Sequence, residues 1–149
     1  MPESVHDGKP WTAAKLTELV KTGKISSSPL FLDVGVGLGT YSNLFKATFE
    51  GTWTGVEVWR PYINRFNLES KYDTILIEDA RKLDWKENYD VCFFGDVMEH
   101  MNKDEAMQLH QKALTRCRYV FVSIPIVHMP QDEWEGNPYE KHIKDDWLH

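Results

Sequence analysis

The sequence predicts an α/β domain built on a doubly wound, mostly parallel sheet. Short apolar segments alternate with segments of helical periodicity, which is typical of a parallel sheet covered by helices on both faces. The apolar segments are nearly continuous, as expected of strands that are buried on both sides. Right-handed crossovers between such strands restrict the topology further.

The chain is predicted to form one domain over residues 1–149, with an N-terminal helix at 11–24, a core at 30–125 and a tail at 126–149. The predicted strands are 30–35, 52–58, 73–79, 89–96 and 118–125, and the further helices are 40–49, 60–69 and 103–116. Two helical faces are predicted to point inward, formed by Tyr41, Leu44, Phe45 and Phe49 and by Ala106, Leu109, Ala113 and Leu114. The tail shows no strand pattern.

Composition and charge exclude several classes of protein. No apolar stretch approaches the roughly 20 residues of a membrane span, and the polar N-terminus is unlike a signal peptide. Cys92 and Cys117 stand in apolar segments, which indicates reduced core residues. A cytoplasmic location is therefore expected. The formal charge of −6, without a clustered basic patch, makes nucleic acid an unfavourable partner.

A glycine-rich turn joins the first strand to the following helix. Asp33 precedes Gly35, Gly37 and Gly39, which follow a G-x-G-x-G spacing. Glycines permit a tight turn and close backbone approach, and the helix start offers free N–H groups. Thr40 stands where a dinucleotide fingerprint has its third glycine, and no Gly-Lys-Ser/Thr of a phosphate loop follows. The turn predicts a cofactor site beyond the carboxyl end of the strand.

Acidic residues follow three further strands. Glu57 ends the second strand, where a carboxylate can accept two hydrogen bonds from a ribose diol. Asp79 and Ala80 follow the third strand, where a carboxylate and neighbouring backbone can pair with adenine; Glu78 is the alternative carboxylate. Asp96 ends the fourth strand. One ligand at the carboxyl edge of the sheet would explain all of these positions.

The segment FLDVGVGLGTY resembles the first motif of the class I S-adenosylmethionine-dependent methyltransferases, and the resemblance extends over residues 30–125. It implies a Rossmann-like fold with the strand order 3-2-1-4-5, S-adenosylmethionine as the cofactor and methyl transfer as the reaction. Trp59 either stacks on the adenine or belongs to the core. The implied cofactor-binding residues are Asp33, Gly35, Gly37, Gly39, Glu57, Val58, Trp59, Asp79, Ala80 and Asp96.

The acceptor side is predicted from two segments. The sequence GDVMEHM resembles a variant of the family's fourth motif, which places Asp96 near the methyl group and Glu99 and His100 beside the acceptor. In the tail, Glu140 and His142 are the candidate base pair, and with Asp96 they are the predicted catalytic residues. No third ligand at a suitable spacing accompanies Glu99 and His100, so no metal site is expected.

The acceptor itself is not identified by the sequence, although a small molecule is favoured over nucleic acid. One alternative is a non-catalytic module that binds S-adenosylmethionine or S-adenosylhomocysteine. The other is an NAD-dependent oxidoreductase, which is disfavoured because Thr40 replaces the third glycine of the dinucleotide fingerprint. Family members continue with two more strands, which this short form lacks. Strand 118–125 would then be an open edge, and we expect either the tail or a second copy, in a homodimer, to cover it.

Overall fold

A computed structural model describes residues 2–4, 6–126, 129–144 and 147 of the chain. Five parallel strands form one sheet in the order β3-β2-β1-β4-β5, which confirms the predicted fold class and strand order. The strands are β1 (Leu30–Val34), β2 (Thr52–Val56), β3 (Thr74–Leu76), β4 (Tyr89–Gly95) and β5 (Cys117–Ser123).

The helices are α1 (Lys9–Lys21), α2 (Thr40–Phe45), α3 (Pro61–Arg65) and α4 (Lys103–Arg116). Short 3₁₀ turns at Leu68–Ser70, Ala80–Lys82, Met98–His100 and Pro138–Glu140 connect or follow the regular elements. The second and third helices are shorter than predicted, because the chain leaves the α-helical hydrogen-bond pattern well before residues 49 and 69. None of the helices in the described part of the chain combines the length and apolarity that a bilayer crossing requires.

Helix α4 has the predicted bounds because its start carries a reciprocal cap. The Asn102 side chain accepts a hydrogen bond from the Glu105 amide at 2.9 Å, and the Glu105 carboxylate accepts one from the Asn102 amide at 3.2 Å. The predicted inward positions of Leu114 and Leu44 are wrong, since these side chains are 53% and 40% exposed. Leu114 follows the buried Ala113 and Leu44 precedes the buried Phe45. A shift of one position rotates a side chain about 100° around the helix, away from the buried face.

Strand β3 is shorter than the predicted 73–79 because it lies at an edge of the sheet. The Asp73 carboxylate accepts a hydrogen bond from the Trp53 amide at 2.8 Å, which holds the chain just before the strand. Beyond Leu76, Ile77 is 40% exposed, and the Glu78 amide donates to the Glu57 carbonyl as the chain turns away. Residues 77–79 therefore belong to the loop at the carboxyl end of β3.

Both faces of the sheet are buried, as the continuous apolar strands predict. On one face Phe31 stacks on Trp53 with ring centroids 4.2 Å apart, and Phe93 stacks on Tyr41 at 4.6 Å. On the other face strand residues pack against α4, and both cysteines are buried and free. Each fully buried large side chain contributes about 2 kcal/mol of transfer free energy.

The outer edge of β5 pairs with no strand in the described ranges. The tail was expected as one possible cover for this edge. Its residues 129–144 instead hydrogen-bond to Tyr62, Glu99 and His100 beyond the carboxyl ends of the strands. Pairing of β5 with a second copy stays a prediction.

Candidate functional site

A cavity of about 540 Å³ opens at the carboxyl edge of the sheet. It lies at the carboxyl end of β1, where the strand order reverses. The chain continues from β1 to β2 on one side of β1, whereas β4 pairs with β1 on its other side. Open α/β sheets bind ligands at this switch point, and the volume suits a small organic molecule. The carboxyl ends of β1, β2, β4 and β5, the N-terminal residues and the tail all contribute to its wall.

The predicted glycine turn forms part of this wall. Gly35 and Gly37 have φ angles of 70° and 53°, which side chains rarely adopt. A Cβ atom on Gly35 would lie 2.4 Å from Val97 Cγ2, and one on Gly37 would lie 2.2 Å from the Pro2 carbonyl oxygen. Gly39 instead precedes α2 and faces Lys71, away from the cavity. The turn thus needs glycine both for its conformation and for close packing.

Glu57 joins two turns at the floor of the cavity. Its side chain is 5% exposed, and its two carboxylate oxygens accept the amide hydrogens of Gly37 at 3.0 Å and Trp59 at 2.9 Å. Burial raises the pKa of Glu57 to about 7, and the neighbouring acids Glu140 and Asp33 raise it further, against the lowering effect of the two amides. The carboxylate is therefore held rigidly where the first two strands end.

Asp33 lies behind the glycine turn and does not line the cavity. It is fully buried, and its carboxylate accepts a 2.5 Å hydrogen bond from the Tyr72 hydroxyl. Burial raises its pKa to about 7, whereas the Tyr72 hydroxyl and the positive charge of Lys9 lower it. Any effect of Asp33 on a ligand would pass through the backbone of the turn.

The residues after β3 contribute their backbone and one ion pair. The Asp79 carboxylate accepts from the Arg81 amide at 2.9 Å and pairs with the Arg81 guanidinium, with a shortest N···O distance of 2.6 Å. This hydrogen bonding by Arg81 lowers the pKa of Asp79. Asp79 thus caps the following 3₁₀ turn, and Glu78 and Ala80 line the cavity beside it.

Trp59 was expected either to stack on a ligand or to join the core. In the structure it packs against the core and against the Tyr139 ring, with centroids 6.3 Å apart, and it is not part of the cavity wall. Val58 and Tyr139 do line the cavity.

Asp96 has a left-handed backbone conformation, with a φ of 54°. Its carboxylate accepts hydrogen bonds from the hydroxyls of Ser4 at 2.6 Å and Ser123 at 2.9 Å, and its amide donates to the Ser123 carbonyl. Such a conformation in a residue other than glycine costs about 1 kcal/mol or more and is often found at functional sites. The bend directs the chain beyond β4 along the cavity.

The N-terminal residues form a part of the site that the sequence analysis missed. Pro2 and Ser4 line the cavity, and the Pro2 carbonyl accepts from the Leu38 amide at 3.1 Å. The buried Lys9 ammonium donates to the Ser4 and Tyr41 hydroxyls at 2.8 and 2.9 Å. Burial lowers the pKa of Lys9. A short polar segment with one lysine carries no local pattern that would have revealed this packing.

In the tail, Glu140 and His142 both line the cavity, but they have separate hydrogen-bond partners. Glu140 is 7% exposed and accepts from the Tyr62 hydroxyl at 2.9 Å and from the Gln131 side chain at 3.4 Å. The Nδ1 atom of His142 lies 2.5 Å from the Met129 carbonyl oxygen. The joint action of Glu140 and His142 as a base pair stays a prediction.

His142 instead lies beside Glu99 and His100, and one ligand atom from each of the three is within 4.8 Å of the others. The expectation that Glu99 and His100 lack a third ligand group is therefore corrected. The fold supplies His142 because the Glu99 carbonyl accepts from the amides of Ile143 and Lys144, which folds the tail back. Burial raises the pKa of Glu99 to about 8 and lowers the pKa of His100.

Comparison with known proteins supplies independent evidence. Residues 32–121 match a family model described as a methyltransferase domain. No curated protein sequence matches the chain significantly.

Several solved structures share the fold. Magnesium protoporphyrin IX methyltransferase of Synechocystis PCC 6803, with bound SAM, has a TM-score of 0.57 at 18% identity, over 89% of this chain and 64% of that protein. The N-terminal domain of EvdMO1 with SAH bound has a TM-score of 0.63 at 12% identity, over 95% and 65%. Coclaurine N-methyltransferase has a TM-score of 0.55 at 18% identity, over 74% and 35%. The chain thus spans less than two thirds of each protein, and the likeness establishes the fold.

Proposed function

Because this chain belongs to the methyltransferase domain family, of the class I type that uses S-adenosylmethionine, we propose that its cavity binds this cofactor and supports methyl transfer to a small-molecule acceptor. One observation carries the proposal. The Gly35–Gly37 turn and the buried Glu57 carboxylate are hydrogen-bonded together at the wall of a 540 Å³ cavity, at the switch point of the sheet.

The residues of the cavity fit the cofactor. Gly35 and Gly37 let the turn pack closely against Val97 and Pro2 at the cavity wall, since a Cβ on either would lie within 2.4 Å of these neighbours. The Thr40 hydroxyl, at the start of α2, is buried in the cavity wall and has no hydrogen-bond partner among the described residues. Glu57 would accept the ribose hydroxyls, and Asp96 would lie toward the methionine portion. Val58, Glu78, Asp79 and Ala80 would border the adenine.

The charge of the cavity wall also fits. Its only described Lys or Arg side chain is Arg81, which is paired with Asp79. The described acidic side chains of the wall are Glu3, Asp7, Glu57, Glu78, Asp79, Asp96, Glu99 and Glu140. S-adenosylmethionine supplies a methyl group on a positively charged sulfur, and a wall rich in carboxylates attracts such a ligand.

The same charge supports a small-molecule acceptor over nucleic acid. Phosphate backbones are recognised by clustered Lys and Arg, whereas this wall is acidic and the whole chain carries a charge of −6. Coclaurine N-methyltransferase, a structural neighbour, has been solved with N-methylheliamine and SAH. An uncharged or cationic organic acceptor suits the acidic wall of the cavity.

For catalysis, the chain's own residues would align the acceptor and exclude water. Asp96 is fixed by two serine hydroxyls and would orient the acceptor or the cofactor. Glu140, which accepts from Tyr62, and His142, whose ring lines the cavity, are the candidates to receive a proton from the acceptor.

Isothermal titration calorimetry with S-adenosylmethionine, S-adenosylhomocysteine and NAD tests the proposed cofactor. We expect binding of the first two alone. Glu57→Gln replaces one acceptor oxygen by a donor group. A hydrogen bond to a charged group is worth about 1.5–3 kcal/mol, so its loss should weaken S-adenosylhomocysteine binding by about 10- to 100-fold. Glu69→Gln, an exposed change outside the cavity, is the matched control and should leave the affinity unchanged.

A screen of small-molecule acceptors for S-adenosylhomocysteine release then tests the reaction. Binding of NAD in place of S-adenosylhomocysteine would contradict the proposed cofactor. Cofactor binding without turnover of any acceptor class would identify a binding module.

A further inference from the structure

We propose that Glu99, His100 and His142 form a binding site for a divalent transition-metal ion such as zinc(II), with open coordination positions that face the cavity. The three side chains are brought together by the fold, and all three line the cavity wall. Binding of the ion does not depend on the proposed function. The assignment of its open positions to the methyl acceptor rests on that function.

The donor set is the first support. Two imidazoles and one carboxylate are a known zinc ligand set in catalytic sites, which keep a further position open for water or substrate. The ligand atoms lie within 4.8 Å of one another, and the two ring centroids are 4.9 Å apart at an interplanar angle of 69°. Ligands at about 2.0–2.1 Å from a tetrahedral ion are about 3.4 Å apart, so side-chain rotation must draw the atoms together by up to about 1.4 Å.

The second support is the orientation of the two histidines. His100 Nδ1 lies 3.1 Å from the Lys141 carbonyl oxygen, and His142 Nδ1 lies 2.5 Å from the Met129 carbonyl oxygen. A carbonyl accepts only from a protonated nitrogen, so both rings carry a hydrogen on Nδ1, and the neutral form of each ring then has its lone pair on Nε2. Metal-binding histidines almost always have such a partner on the other ring nitrogen, because it fixes the tautomer and the ring orientation.

The third support is the environment of Glu99. Its side chain is 1% exposed, and its Oε2 atom has no hydrogen-bond partner among the described residues. None of the ion pairs within the described ranges includes Glu99. A buried carboxylate oxygen is costly unless a hydrogen bond, an ion pair or a metal satisfies it. A cation beside the two imidazoles would supply the missing partner.

The backbone holds the site in place. The Glu99 carbonyl accepts from the amides of Ile143 at 2.6 Å and Lys144 at 2.9 Å, so the segment that carries His142 is fixed to the turn that carries Glu99 and His100. The ion would lie in the cavity wall that Glu99, His100 and His142 help to form. An acceptor with an oxygen donor, such as a hydroxyl group, would fill an open position, and His142 would then act as a ligand in place of a base.

Metal retention tests the proposal directly. The protein of residues 1–149 is loaded with Zn²⁺, dialysed and analysed by elemental mass spectrometry, with Mg²⁺ as the comparison ion. We expect one equivalent of retained Zn²⁺. Glu99→Gln and His142→Ala should each weaken Zn²⁺ binding by more than about 100-fold, since loss of outer partners alone costs 10- to 100-fold. His110→Ala, on α4 and outside the cavity, is the matched control and should retain zinc.

Cobalt substitution tests the open positions. The visible spectrum of the Co²⁺-loaded protein should change on addition of acetohydroxamate, a bidentate oxygen donor. A spectrum that does not respond would overturn the open positions, and equal zinc retention by wild type, Glu99→Gln and His142→Ala would overturn the site. Thermal unfolding of each variant distinguishes misfolding from loss of the metal. S-adenosylhomocysteine binding by each variant distinguishes failure of the proposed function from loss of the metal.

Discussion

Substitution of Gly35 by alanine separates backbone strain from steric packing at the cavity wall. Gly35 has a φ of 70°, and a Cβ there would lie 2.4 Å from Val97 Cγ2. Alanine in this left-handed conformation costs about 1–2 kcal/mol, and displacement of a packed, β-branched side chain adds about 1–3 kcal/mol. We therefore expect Gly35→Ala to lower the free energy of unfolding by about 2–5 kcal/mol.

Gly23 provides the matched control. Its φ of 69° is almost identical, but no atom lies within 4 Å of the position that a Cβ would take. Gly23→Ala should therefore show the strain alone, about 1–2 kcal/mol. Denaturant unfolding measures both variants, and S-adenosylhomocysteine titration should show weaker binding only for Gly35→Ala. Equal destabilisation of the two variants, with unchanged affinity, would refute the assignment of a close packing role to Gly35.

Four further outcomes are expected. Burial raises the pKa of Asp33 from 3.8 to about 7, so between these values the folded state holds a proton that the unfolded state releases. The free energy of unfolding should therefore fall as the pH rises from about 4 to 7, by at most about 1.4 kcal/mol per pH unit from this group. Urea unfolding of Asp33→Asn should show a smaller decrease of stability with pH. Asn102→Ala removes the cap of α4 and should cost about 1 kcal/mol in denaturant unfolding. Gly95→Ala places a Cβ 2.1 Å from the Tyr41 ring, and thermal unfolding should show a destabilisation of about 1–3 kcal/mol. An unchanged melting temperature would contradict the close packing of Tyr41 against Gly95. Sedimentation should reveal a concentration-dependent dimer that Val122→Lys weakens, whereas a monomer at every concentration would refute pairing along β5.

The sequence predicted the sheet well because its signals are local. Nearly continuous apolar segments are typical of strands covered on both faces, and such segments marked the approximate place of all five strands along the chain. The bounds of α4 were also predictable, because Asn102 and Glu105 form a cap within four residues. The edge strand β3 was overestimated, because apolar residues at an edge do not by themselves show where pairing stops.

The candidate site was predicted only in part. The turn at Gly35 and Gly37 and the acid at Glu57 follow strands directly, so strand prediction placed them at one edge of the sheet. The N-terminal segment was missed because Ser4 reaches Asp96 across 92 positions of the chain. No local pattern reports a contact at that separation.

The sequence by itself therefore determined which segments form the strands, the glycine turn and the acids that close the strands, because periodicity and spacing follow directly from backbone geometry. The order of the strands in the sheet came from the resemblance to a known family. Only the tertiary structure decided that Asp33 lies behind the turn, that Trp59 packs away from the cavity and that His142 joins Glu99 and His100. These placements depend on how distant segments fold against the sheet edge. That packing is set by the sum of many long-range contacts, and no short stretch of residues encodes it.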